Sequence, residues 1–303
     1  SLGLTSGEIT LRSGNTLLAN DIRIITRNSG DGKGKGINLF GKSIIVDFSS
    51  IVSLTRNESQ ESQLGVIQNG EGGDVFLEAT EEILVRNSNI STNGDFGTAN
   101  SGNLNLNTSH LRIIKSQNVN FPNSLGIFTT SDDNSTGNGG DININASESI
   151  EIIGEIPGSF TPAGENFNFD DSALISTTAE GGGKSGSLII DTRRLIVQNN
   201  AAISTFPFNG TGGDLTINAI DIFLQGKATI LTGTLGQQNA GDLTINADKV
   251  TLLDGGSILA STFGEGNAGE FTFSVGELSI RNGSKVSSDT FAAGSGGNLT
   301  IKD

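Results

Sequence analysis

Three acidic residues recur at a single spacing near the end of the chain: Asp214, Asp242 and Glu270, each 28 residues from the next. If residues 28 apart lie above one another, the three carboxylates form an oxygen-rich row, and hard cations such as Ca²⁺ take such oxygens. The competing reading is a solvated corner after a Gly turn, where like charges about 4.8 Å apart in water repel by only ~0.9 kcal/mol. The corner reading is favoured, because the spacing is not the tandem nonapeptide of Ca²⁺-binding β-helices. No metal ligand is assigned.

Other residues with chemical capacity are scattered. Asp132/Asp133 and Asp170/Asp171 are adjacent acids beside irregular stretches. A glycosidase needs two carboxylates facing one another across a cleft, and neighbours on a strand point to opposite faces. Arg193/Arg194 is the basic doublet that a uronate lyase would use. His110 is the single imidazole and there is no Cys, so a thiolate site, a disulfide framework and any pair of imidazoles are excluded. These residues read as solvated turn charges. The chain is expected to be non-catalytic and without a cofactor.

Bulk properties narrow the partners. Eighteen basic against 33 acidic residues leave a net charge of -15, which repels nucleic acid and anionic membranes. No apolar run is long enough for a membrane span, no signal peptide opens the chain, and residue 1 is Ser. The chain is therefore expected to be one segment, residues 1–303, of a longer or processed protein.

What positions these residues is a repeat. Gly followed by Asp, Asn, Glu or Ser and an alternating apolar run recurs as GGDVFLEA, GNLNLNT, GGDININA, GSLIIDT, GGDLTINA, GDLTINA, GEFTFSV and GNLTIKD, with weaker early copies GEITLRS and GKGINLFG. Indexed at Glu8, Gly36, Asp74, Asn103, Asp141, Ser187, Asp214, Asp242, Glu270 and Asn298, the steps are 28, 38, 29, 38, 46, 27, 28, 28 and 28. Each unit reads as three short strands with period-2 alternation, such as LTINA, IDIFLQ and ATILTGT. Ile217, Ile245 and Phe273 fall at one offset. No unit can bury its own apolar face, but stacked units can. The expected fold is all-β: a right-handed parallel β-helix of about nine turns of ~28 residues, three strands per turn, with insertions near 48–66, 116–138 and 155–172.

The unit QNAGDLTINADKVTLLDGGSILASTFGEG of residues 238–266 resembles the repeats of filamentous-haemagglutinin-like exoproteins of two-partner secretion, in particular their cyanobacterial group. The likeness covers nearly the whole chain and is strongest from Ser187 to Asp303. It implies a secreted, cell-surface passenger shaft that passes through an outer-membrane transporter, a route that suits a chain without Cys. The family's N-terminal secretion domain is not evident.

Three surface features complete the reading. Thr216, Thr244, Thr272 and Thr300 form an outward row resembling an ice-binding face, but the neighbouring row of Asn218, Asn246, Ser274 and Lys302 is mixed. Phe208, Leu235, Phe263 and Phe291 form an apolar row, favoured as an inward packing ladder at a corner over an exposed stripe. Insertions project from solenoids as loops, so surface glycans or proteins are expected to meet loops 116–138 and 155–172, where Phe160, Phe167 and Phe169 either form a contact patch or fold onto the shaft. The expected function is a structural, adhesive β-helix. The alternative is a polysaccharide-binding or polysaccharide-degrading β-helix, lyase, glycoside hydrolase or tail-spike-like.

Overall fold

A computed structural model describes residues 7–29, 32–56, 70–95, 97–116, 125–133, 135–154 and 173–303. Among them are 20 strands and no helix. Eleven strands form one sheet: β1 (Ile9–Arg12), β2 (Thr16–Asn20), β4 (Ile37–Asp47), β6 (Val75–Arg86), β8 (Leu104–Ile114), β10 (Ile142–Ile153), β12 (Leu188–Gln198), β14 (Leu215–Gln225), β16 (Leu243–Leu253), β18 (Phe271–Ile280) and β20 (Leu299–Lys302). Nine form the other: β3 (Arg23–Asn28), β5 (Ser50–Arg56), β7 (Asn89–Asp95), β9 (Leu125–Ser131), β11 (Ala173–Ala179), β13 (Ala202–Thr205), β15 (Thr229–Thr234), β17 (Ser257–Thr262) and β19 (Lys285–Ser287). The chain alternates between the sheets and every ladder is parallel, as in a parallel β-helix.

The register follows the repeat. Leu188, Leu215, Leu243, Phe271 and Leu299 pair in sequence order, and so do Ile217, Ile245 and Phe273. Leu215, Leu243, Phe271, Ile217, Ile245 and Phe273 are completely buried in one core that runs the length of the stack. Burial of each such side chain is worth roughly 1.5–3 kcal/mol.

The three expected segments of each unit are present, with the first two joined. In β14, LTINA and IDIFLQ are one 11-residue run, and the inward set passes from Leu215 and Ile217 to Ile222 and Leu224. That one-residue slip in the alternation turns the inward face, so the run bends around the core. Only in the first turn do the halves separate, as β1 and β2.

Two insertions are narrower than their expected spans. Ser50–Arg56 and Leu125–Ser131, inside 48–66 and 116–138, are strands β5 and β9. Ile51 and Ile127 are buried on the column of Ile90 and Ile175, and continuing that column outweighs looping out. The span 155–172, with Phe160, Phe167, Phe169, Asp170 and Asp171, lies outside the described residues.

From β11 to β17 the second sheet is buried on both faces. Ile203, Ile230 and Ile258 face the main core, while Leu174, Ala202, Leu231, Leu259 and Phe206 form a separate buried cluster. The row Phe208, Leu235, Phe263 and Phe291 lies outside the main core and is half-buried up to Phe263 and exposed at Phe291. Backbone bonds from Leu235 to Pro207, Phe263 to Thr234 and Phe291 to Thr262 keep it in register. Leu235 and Phe263 pack on the second cluster, and Phe291, 57% exposed, stacks on Phe263 with centroids 4.8 Å apart.

Candidate functional site: a polar corner groove

The Gly-Asp phrase of each unit lies at the corner leading into the first sheet. Three side-chain columns meet there. The first is glycine: Gly102, Gly140, Gly186, Gly213, Gly241, Gly269 and Gly297. A methyl on any of them would overlap the carbonyl of the corner Gly one turn below, so the close approach of successive turns leaves room only for hydrogen. Inward hydroxyls brace the same carbonyls: Thr92, Thr129 and Thr177 donate to Gly102, Gly140 and Gly186, each at 2.5 Å, and Ser288 donates to Gly297 at 2.9 Å.

The second column contains the acidic row. The N–H of Asp242 donates to Asp214 Oδ1 at 2.9 Å, and that of Glu270 to Asp242 Oδ1 at 2.8 Å. Upstream, Asn103 N donates to Asp74, Asp141 N to Asn103 and Ser187 N to Asp141, at 2.8 to 2.9 Å. Each Asp or Asn thus satisfies a backbone donor of the next turn, a role the sequence reading missed. Its signal was that six of the ten indexed positions are Asp or Asn, which exchange with one another along the column. Among the described residues no group of three His, Cys, Asp or Glu side chains is placed to hold a metal ion.

The third column lies three residues earlier. Asn138 N donates to Asn100 Oδ1 at 2.7 Å and Lys184 N to Asn138 Oδ1 at 2.9 Å, and the pattern returns with Asn267 N to Asn239 and Ser295 N to Asn267. Between the second and third columns runs an open trough of about 310 Å³ with Gly72, Gly102, Gly139, Gly140 and Gly186 along it and Lys33 and Lys184 at its ends. Lys33 Nζ lies 3.2 Å from Asp74 Oδ2.

The remaining candidates do not converge. Thr216, Thr244, Thr272 and Thr300 are in register on the outer face. Upstream that row becomes Ile189, Asn143, Asn105 and Phe76, so the hydroxyl row covers only part of the stack. In the adjacent row Asn246 Nδ2 donates to Asn218 Oδ1 at 2.8 Å and Asn218 Nδ2 to Asp191 Oδ1 at 2.7 Å. Asp132 Oδ1 accepts the N–H of Asp133 at 2.8 Å, which occupies one acid of that pair in a local turn. Arg194 heads a charge-alternating column through Asp221, Lys249 and Glu277, with Lys249 Nζ 2.8 Å from Glu277. His110 Nδ1 lies 2.8 Å from Ser149 Oγ, and beside it Arg112 bridges Glu151 at 2.9 Å and Glu82 at 3.7 Å.

Shifted acids sit elsewhere, each with a structural partner. The Arg86 guanidinium hydrogen-bonds Asp47 through Nε at 2.9 Å and holds that carboxyl below its ordinary value of 3.8, against the opposing effect of burial. Asp254 is also lowered, first by the Gln225 amide and then by that of Asn282, each at 2.9 Å. Asp254 and Asn282 belong to a second corner where Asp254-Gly255 and Asn282-Gly283 take left-handed backbone, φ 52 and 84, then 53 and 76.

No protein-family profile, curated protein or solved structure matches the chain.

Proposed function

We propose that this chain is a non-catalytic shaft with an adhesive surface, part of a secreted, cell-surface protein of the filamentous-haemagglutinin-like, two-partner-secretion kind. It leaves the cell through an outer-membrane transporter and then meets surface glycans or proteins.

The observation that carries this reading is the periodicity of the polar exterior. Catalysis needs unlike groups converging at one level of a scaffold. Here like groups repeat level after level: corner Asp and Asn, outer-face Thr and Asn, and alternating charges at the bend. A surface of that kind offers many equivalent weak contacts along its length, which is the requirement for multivalent attachment. A fold-level likeness alone does not supply an activity.

The test has two readouts. Antibody raised against the 303-residue chain should label intact producing cells, and labelling should vanish when the outer-membrane transporter is deleted. Retention of the antigen in the cytoplasm of normal cells would overturn the secreted reading. Release of reducing ends or unsaturated uronates from polysaccharides by the purified chain would replace the adhesive reading with the degrading one.

A further inference from the structure

We propose that the corner groove between Lys33 and Lys184 binds a neutral, unbranched polysaccharide lying along the helix axis. This places ligand contact on the shaft, apart from the loops, and it holds whether or not the chain is exported, because sugar binding and localisation are measured separately.

The groove has the length and the floor for an extended chain. Its outer wall carries Lys33, Glu71, Asn100, Asn138 and Lys184 on successive turns, about 19 Å at ~4.8 Å per turn. Glycines hold the floor flat, so a pyranose ring can approach the backbone without meeting a side chain.

The hydrogen-bonding capacity is left over by construction. Asn100, Asn103 and Asn138 each use Oδ1 to accept a backbone N–H from the next turn. Their Nδ2 groups, two donors each, remain in the lining of the groove. Asp141 likewise uses Oδ1 for Ser187 and keeps Oδ2 as an acceptor. A sugar hydroxyl both donates and accepts, so alternating amide donors and carboxylate acceptors suit it. The ladder bonds fix these side chains before binding, which lowers the ordering cost. The outer-face row lacks this surplus, because Asn218 and Asn246 spend Nδ2 on one another's column.

Charge selects a neutral ligand. Lys33 and Lys184 face Glu71, Asp74 and Asp141, and the whole chain carries -15, so a polyuronate is repelled. The downstream corner differs: Ala240 and Ala268 stand where the groove has Gly139 and Ser101, and Asp214, Asp242 and Glu270 are consecutive.

The experiment titrates the full chain with cello-, malto-, xylo- and N-acetylchitohexaose and with oligogalacturonate, by calorimetry. At least one neutral hexasaccharide should bind and oligogalacturonate should not. The triple variant N100D/N103D/N138D keeps every Oδ1 acceptor, as Asp74 and Asp141 already do, but replaces donors with carboxylates. It should melt like the parent and lose about tenfold in affinity, the equivalent of one or two hydrogen bonds. N239D/N267D, the same change downstream, should bind like the parent. Lys184→Ala, which keeps the ladder bond made by its backbone N–H, should weaken binding independently of any folding defect in the triple variant. Absence of binding to every neutral hexasaccharide, equal affinity in N100D/N103D/N138D and parent, or preference for oligogalacturonate would each overturn the proposal.

Discussion

The backbone N–H of Asp242 donates to the side-chain Oδ1 of Asp214, 2.9 Å away across 28 residues of chain. Asp214 and Asp242 are thus acceptors, spent on the N–H groups of Asp242 and Glu270 in the turn above. At Asp74, Asn103, Asp141, Asp214 and Asp242 what the next turn uses is an oxygen on Cγ, and its charge is incidental. This explains why Asp74, Asn103 and Asp141 alternate in one column without changing the backbone bonds they receive.

Replacing Asp242 separates those two properties. Asp242→Asn keeps the acceptor for Glu270 N–H and relieves repulsion from Asp214 and Glu270, so its melting temperature should equal or slightly exceed the parent's. Asp242→Ala removes the acceptor at a solvent-accessible corner and should cost about 0.5–1.5 kcal/mol. Calcium chloride should not raise the melting temperature of the parent above that in sodium chloride of equal ionic strength. A calcium-specific rise, lost in Asp242→Asn, would restore the cation reading.

The corner glycines should be the least replaceable residues of the chain. Gly241→Ala sets a methyl against the Gly213 carbonyl and must push two turns apart. A loss above about 4 kcal/mol, or failure to fold, is expected in urea unfolding. Gly283→Asn is the control: φ is 76 there, nothing crowds the site, and Asn tolerates left-handed backbone, so it should stay within ~1 kcal/mol of the parent.

The Gly-Asp phrase made the vertical order legible, since a period held at 28 through the last units can only stack like on like. Its causes were hidden. Nothing near Gly241 in sequence shows that the Gly213 carbonyl crowds it, and nothing near Asp214 shows the N–H of Asp242, because each partner comes from a neighbouring turn. The joining of LTINA and IDIFLQ was hidden for another reason. A one-residue slip in alternation reads equally as a bend or as a break, and the inter-turn hydrogen bonds that decide between them are not local. The second cluster did leave a signal: Ile230-Leu231 and Ile258-Leu259 are adjacent apolar pairs, which fill both faces of a strand.

Inward threonines on the second sheet should divide into two classes. Thr129 Oγ1 donates to Gly140 O, so Thr129→Val deletes a buried hydrogen bond and should cost about 1–3 kcal/mol. Thr205 occupies the same column two turns later, but its buried hydroxyl has no hydrogen-bond partner. Thr205→Val removes an unsatisfied polar atom at nearly constant shape and should be neutral or stabilising. Equal losses at the two positions in chemical denaturation would show that the hydroxyl-to-carbonyl brace contributes nothing.

Acid should weaken the fold through Asp47. Its carboxyl is nearly buried, side chain 9% exposed, and bonded by the half-exposed Arg86 guanidinium, which lowers its pKa from 3.8. A group with a depressed folded-state pKa binds protons less readily when folded than when unfolded. Its stabilisation is therefore complete above the unfolded value and is lost as pH falls through 3.8 to the folded value. The stability difference between parent and Asp47→Asn, measured by urea unfolding, should be constant from pH 7 to about 5 and shrink below about pH 4. Arg86→Gln should flatten the same acid slope by removing the largest cause of the shift, and the double variant should show no further change, since the two residues act as one unit. An undiminished parent-to-variant difference at pH 3 would mean that Asp47 contributes through packing and not through its charge.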